Sequence, residues 1–189
     1  MNSYFSDPVL LIISTALGFL KYIMIFRLLF EVTRVNFYNP LCQAVVKITN
    51  PILAPLTMLP LRFGRFDLSI VLLILLIIAI EILFPYFFQN IDYNLSHILI
   101  FSLGLLLKTI LNIFFWMIII GAVASWFFMY HNHPLFSLIN ELCEPLYQPV
   151  RSILPPMSGI DFSPIILLLL IQLAEMLLVR PIFGLINFI

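Results

Sequence analysis

The stretch DLSIVLLILLIIAIEILFPYFF, residues 67–88, decides the fold. After its Asp-Leu-Ser opening, Ile70 to Ile80 are apolar without interruption, and the segment closes on Pro85, Tyr86, Phe87 and Phe88. About 20 apolar residues suffice to cross a hydrocarbon core of about 30 Å, and terminal aromatics suit the headgroup level. One acid, Glu81, interrupts the run. The stretch DFSPIILLLLIQLAEMLLVRPI, residues 161–182, follows the same plan: an Asp two residues before a Ser, and a Glu fourteen residues after the Asp. Both therefore read as membrane helices, the second a copy of the first.

The whole composition agrees. The chain has 189 residues, 63% hydrophobic and 10% charged, where soluble domains average roughly half apolar and about a quarter charged. It reads as an all-α integral membrane protein, long enough for about four spans and no sizeable soluble domain. Nine basic against nine acidic residues give net charge +0, which excludes a nucleic-acid-binding field. Cys42 and Cys143 match neither metal-ligand spacing nor a disulfide framework, so ordinary thiols are expected. No Lys or Arg precedes the first apolar segment, which is therefore expected to remain in the mature protein rather than be cleaved as a signal peptide.

Outward from residue 67, the first span reads as 8–30, opening on Pro8 at an early helical position and containing Lys21. The third apolar segment, 97–130, exceeds one crossing. It predicts a tilted or kinked helix, or a lateral piece before Lys108 and a crossing near 108–129. The fourth span reads as 162–183. Arg34, Lys47, Arg62 and Arg65 lie between spans one and two, and Arg151 between three and four, whereas residues 90–96 carry no Lys or Arg. Both long loops are thus expected in the cytoplasm, with both termini outside.

An offset of 94 residues superposes Pro40 on Pro134, Pro51 on Pro145, Pro55 on Pro149, Asp67 on Asp161, Ser69 on Ser163 and Glu81 on Glu175. Prolines and acids are scarce here, so one offset catching three proline pairs and two acid pairs marks a tandem duplication. Residues 1–94 form the first repeat, with its loop at 31–68, and 95–189 the second, with its loop at 130–161. Two crossings per repeat bring the second copy in parallel, about an axis along the membrane normal.

In each loop a cap precedes a proline: Asn39 before Pro40 and His133 before Pro134. A short amphipathic helix of about ten residues is expected next, lying in the interface plane. Pro51, Pro55 and Pro60 in one loop, and Pro145, Pro149, Pro155 and Pro156 in the other, then predict an extended, stiff return to the membrane.

The loops NPLCQAVVKITNPILAPLTMLPLRFGRFDLS and HPLFSLINELCEPLYQPVRSILPPMSGIDFSP resemble the two copies of the YggT family signature, a family related to the chloroplast YlmG proteins. The second copy is closer, with Pro149, Arg151, Pro155, Gly159, Asp161 and Ser163 at its end. The first carries Thr57 where the second has Arg151. The resemblance implies a small tandem-repeat protein of a bacterial inner membrane or plastid. It further implies association with osmotic-stress tolerance and ion uptake, division and envelope organisation, or cytochrome assembly.

Several residues invite chemistry. Asp67 and Asp161 read as caps that accept backbone N–H groups, or else as carboxylates guarding a mouth. Glu81 and Glu175 lie well inside the bilayer, where an unpaired charge costs several kcal/mol. Lys21 is the expected partner of Glu81, and Arg180 of Glu175; the alternative use of these groups is an ion or proton path. Lys47 and Glu141 occupy equivalent positions on the two loop helices and offer a bridge if the axis brings those helices together. His131 and His133 are a weak haem or metal signal. No catalytic motif, resident cofactor or metal site is read, and no enzyme is expected. The leading expectation is a non-enzymatic inner-membrane protein supporting envelope integrity, osmotic-stress tolerance or membrane-complex assembly. Its partners would be the lipid bilayer and further copies or other membrane proteins. The rivals are a small oligomeric cation or proton channel and, more remotely, a cofactor or haem assembly factor.

Overall fold

The computed structural model describes residues 3–56, 62–63, 66–89, 94–125, 133–156 and 161–185. Helix α1 spans Ser3–Thr33 and α2 spans Pro40–Leu53. Strands β1 (Arg62–Phe63) and β2 (Phe66–Asp67) pair antiparallel, Arg62 opposite Asp67, and α3 (Leu68–Gln89) follows directly. The second half repeats this order with α4 (Leu95–Ser125), α5 (Pro134–Ile153) and α6 (Ser163–Ala174). A π-helical turn, Glu175–Val179, carries α6 into α7 (Arg180–Gly184). Four of these stretches are long and apolar enough to cross a membrane: Pro8–Thr33, Leu68–Pro85, Leu95–Ser125 and Ser163–Gly184.

The spans stand as a row. Helix α1 packs on α3, α3 on α4 and α4 on α6, and among the described residues no comparable contact joins α6 back to α1. A closed two-fold arrangement would require that last contact, because it is the copy of the one between α3 and α4. The inner spans α3 and α4 are accordingly more enclosed than α1 and α6. Helices α2 and α5 pack together on one side of the row, α2 against α1 and α5 against α4, α6 and α1. The core runs through Met24, Ile25 and Phe30, the stripe Ile70, Ile74 and Ile78 at a spacing of four, Ile118, and Leu142.

Segment 95–125 takes the first of its two expected forms, one unbroken helix with no lateral piece before Lys108; at about 1.5 Å per residue it reaches about 46 Å, longer than a straight crossing of a core of about 30 Å needs. Two expectations change. Pro8 lies inside α1 rather than at its start, forfeiting a single backbone bond near the helix end. The loop prolines do not stop the helices either: Pro51 is inside α2, and Pro145 and Pro149 are inside α5. Two interior prolines cost about 6 kcal/mol together. Against that, α5 buries Leu138, Ile139, Leu142, Cys143, Tyr147 and Val150 on one face, at roughly 1.5–3 kcal/mol for each large apolar side chain. Pro145 and Pro149 are four apart on the exposed face, so the carbonyls they leave open are not sealed in the core. The extended return survives in shorter form, at β1 and β2 and at Pro155 and Pro156. Pro60, Gly159 and His131 lie outside the described residues.

The end of α1 carries a feature with no glycine to announce it. Arg34 has φ 58°, a left-handed conformation that non-glycine residues seldom adopt. Val35 N–H then donates to Phe30 O at 3.4 Å, and both side chains are buried. This is the six-to-one closure of a Schellman motif with its apolar clasp.

Candidate functional site

Two constellations stand out, one inside the row of spans and one on the α2/α5 face. Within the spans, Lys21 Nζ donates to Glu81 Oε2 at 2.7 Å, linking α1 to α3. Gly18, one turn before Lys21, leaves room for the carboxylate: a Cβ there would stand 3.8 Å from Glu81 Oε1. Glu175 does not pair with Arg180. It faces Lys108 on α4 instead, with Nζ to Oε1 at 4.0 Å, and Arg180 is exposed. Residues 175 and 180 are five apart, and the π turn ties their backbones by Arg180 N–H donating to Glu175 O. The turn also absorbs Pro181, which would otherwise crowd the carbonyl four residues back in a regular helix. Enclosure separates the two pairs. The Lys21 and Glu81 side chains are 9% and 22% exposed, those of Lys108 and Glu175 50% and 43%.

On the other face the caps form as the spacing suggests. Leu41 N–H donates to Asn39 Oδ1 at 2.9 Å, and Leu135 N–H to His133 Nδ1 at 3.2 Å, each with a proline next in line. Asp67 accepts from Ser69 N–H at 3.0 Å, and Asp161 from Ser163 N–H at 2.8 Å. The capping side chains also join the repeats: Asn39 Nδ2 donates to Pro134 O at 2.7 Å, and Asn36 N–H to Glu141 Oε2 at 2.6 Å. Glu141 is thereby engaged by the first loop's backbone and by Ser137 Oγ at 3.0 Å, not by Lys47, which is exposed.

Arg151, near the end of α5, gathers the second loop. Its Nε and Nη2 donate to Asp161 Oδ2 at 3.0 and 2.8 Å, its Nη1 to Glu144 Oε2 at 3.3 Å, and its guanidinium lies 4.5 Å from the Tyr147 ring centroid. Partial burial pushes the Asp161 carboxyl up, but hydrogen bonds from Ser163 and Arg151 outweigh it and hold its pKa below the usual value of 3.8. Burial, chiefly, pushes Tyr147 up to about 12 and the Cys143 thiol up to about 12. Burial, then the nearby Glu141 charge, raises the Cys42 thiol as well. Both cysteines are free and buried. Beside Arg151, an apolar groove of about 470 Å³ runs between α4, α5 and α6, past Val150, Leu167, Ile171 and Ala174. Among the described residues no three His, Cys, Asp or Glu side chains converge to hold a metal.

Sequence reading missed Lys108 as a partner, the cross-repeat role of Asn39 and Glu141, and Gly104. A Cβ on Gly104 would stand 2.5 Å from Phe183 Cε1. Lys108 did leave a signal. It is the one Lys or Arg of α4, and the 94-residue offset sets it opposite Ser14, seven residues or two turns from Lys21 and so on the same helix face.

The CCB3/YggT family model matches twice, over residues 6–88 and 100–182, an offset of 94 again. An uncharacterized protein of Pseudomonas aeruginosa is 34% identical over 160 residues, 84% of this chain and 81% of its own length. The uncharacterized protein YggT of Escherichia coli K12 is 33% identical over 165 residues, 87% of this chain and 86% of its own. A Vibrio alginolyticus protein is 30% identical over 170 residues, 88% and 91% of the two chains. No solved structure matches. A double match covering most of the chain, on a four-span helical fold built as two parallel repeats, places it: this integral membrane protein belongs to the CCB3/YggT family.

Proposed function

We propose that the chain is a non-catalytic protein of the bacterial inner membrane whose cytoplasmic α2/α5 face holds a partner membrane protein in place, supporting envelope integrity under osmotic stress. The observation that carries this is the cross-repeat lock. Asn39 to Pro134 and Asn36 to Glu141 join the two loop helices, and Arg151 braces α5 against the start of α6 through Asp161. A surface fixed in this way is preorganised, which favours capture of a partner because little ordering remains to be done on binding. Within the spans, by contrast, both glutamates face lysines. The test is growth after osmotic upshift in a strain lacking the protein, complemented with variants. Asn39→Ala combined with Glu141→Ala is expected to fail while still inserting in the membrane. Glu81→Gln combined with Glu175→Gln is expected to restore growth. The reverse pattern overturns the proposal.

A second reading, a cation or proton path, has one observation in its favour: Lys108 and Glu175 are half-exposed at membrane depth and only loosely paired. Flux into liposomes that is lost in Glu175→Gln would support it. Flux no greater than in empty liposomes would remove it.

A further inference from the structure

The half-exposed pair of Lys108 and Glu175 belongs to a larger polar stripe. Asn112 follows Lys108 by four residues on α4, and Gln172 precedes Glu175 by three beyond the α6 side of the pair; Asn112, Lys108 and Gln172 are exposed and Glu175 is half-exposed. Residues at those spacings share a helix face. Along α4, Lys108 stands about 20 Å from the Leu95 end and about 26 Å from the Ser125 end at about 1.5 Å per residue, near the middle of the span. Two charges and two amides left against lipid chains there are costly, so natural spans turn such groups toward protein or water. The row of spans supplies no cover of its own, because α6 stands at its edge.

We infer that this stripe of Lys108, Asn112, Gln172 and Glu175 is the interface at which a second copy of the chain docks in the membrane. The stripe is self-complementary. It carries one cation, one anion and two amides that both donate and accept, and a two-fold interface sets a patch against itself. Turned about an axis along the membrane normal, Lys108 faces Glu175 of the partner subunit, so the 4.0 Å pair within one chain is completed between chains. Interhelical polar contacts of this kind are a recognised source of association in lipid. The inference goes beyond the proposed function, since it concerns the α4/α6 edge and not the α2/α5 face.

The test uses the full chain in phosphatidylethanolamine and phosphatidylglycerol vesicles, with energy transfer between donor- and acceptor-labelled copies read against the protein-to-lipid ratio. The unaltered chain is expected to associate. Lys108→Glu chains alone and Glu175→Lys chains alone should each lose association, by about tenfold in the ratio required. Mixed together, the two variants should regain it, and this recovery also shows that both are folded. Asn112→Leu combined with Gln172→Leu, a change that membrane helices tolerate, should weaken association while leaving insertion intact. The inference is overturned if the unaltered chain stays monomeric, if the single charge variants associate as it does, or if the mixture does not recover. It is equally overturned if Asn112→Cys reacts with a water-soluble thiol reagent in the dense vesicles, which would assign the stripe to a water-filled path.

Discussion

The two repeats keep the same acid and answer it differently. Glu81 meets Lys21 at 2.7 Å, closed in between α1 and α3, while Glu175 meets Lys108 at 4.0 Å across a half-exposed surface. The offset that superposes the glutamates leaves the lysines two turns apart. Duplication thus preserved the position of the carboxylate, and its counter-charge was free to move along one face of the neighbouring helix. The loops diverged in the same way. Asp67 and Asp161 both cap a span, but Asp161 alone has an arginine ten residues before it, since the first loop carries Thr57 there.

The largest break in the comparison should come from Lys21→Leu, which strands Glu81 in an enclosed place. A loss of about 3–5 kcal/mol is expected, read as a lower unfolding midpoint in detergent. Lys21→Leu with Glu81→Leu should recover most of it. Lys108→Leu should cost the monomer less, because its pair is already long at 4.0 Å and little interaction is lost. Gly104→Leu comes next. It installs the residue that the first repeat has at Leu10, but Phe183 already fills that space, so overpacking should cost about 1–3 kcal/mol in the same assay. Arg151→Thr makes the second loop resemble the first and should cost about 1 kcal/mol at neutral pH. The carboxyl of Asp161 is held below 3.8 in the folded chain, so its contribution is complete above that pH and is lost as pH falls through the lower folded value. The acid limb of a stability-against-pH curve should therefore flatten in the variant. The smallest effect should be a gain of a few tenths of a kcal/mol from His133→Asn, which gives the second loop helix the better cap of the first.

The four spans, the duplication, both caps, the aspartates at the starts of α3 and α6 and the Lys21 to Glu81 pair were legible, because each depends on residues at fixed local spacing or on a strong cost of burial. What was not legible depends on competition. Pro145 and Pro149 signal a helix end residue by residue, yet six buried side chains on the opposite face of α5 outweigh them. Arg34 shows no glycine or asparagine at the end of α1, yet the clasp between Phe30 and Val35 holds it in a left-handed conformation. Arg180 was nearest to Glu175 in sequence, but the π turn widens the helix between them and leaves Lys108 as partner. The row arrangement, too, follows from which helix faces meet, and the periodicity of a nearly all-apolar span says little about that.

The bond from Asn39 Nδ2 to Pro134 O has a consequence for biosynthesis. Its acceptor lies 95 residues downstream of its donor, and Asn36 likewise waits for Glu141. While the ribosome is still delivering the third span, the first loop helix has its own cap but not its cross-bracing. The first half of the protein therefore enters the bilayer as an unfinished hairpin, and the emergence of residues 134–141 sets the moment at which its surface takes final form.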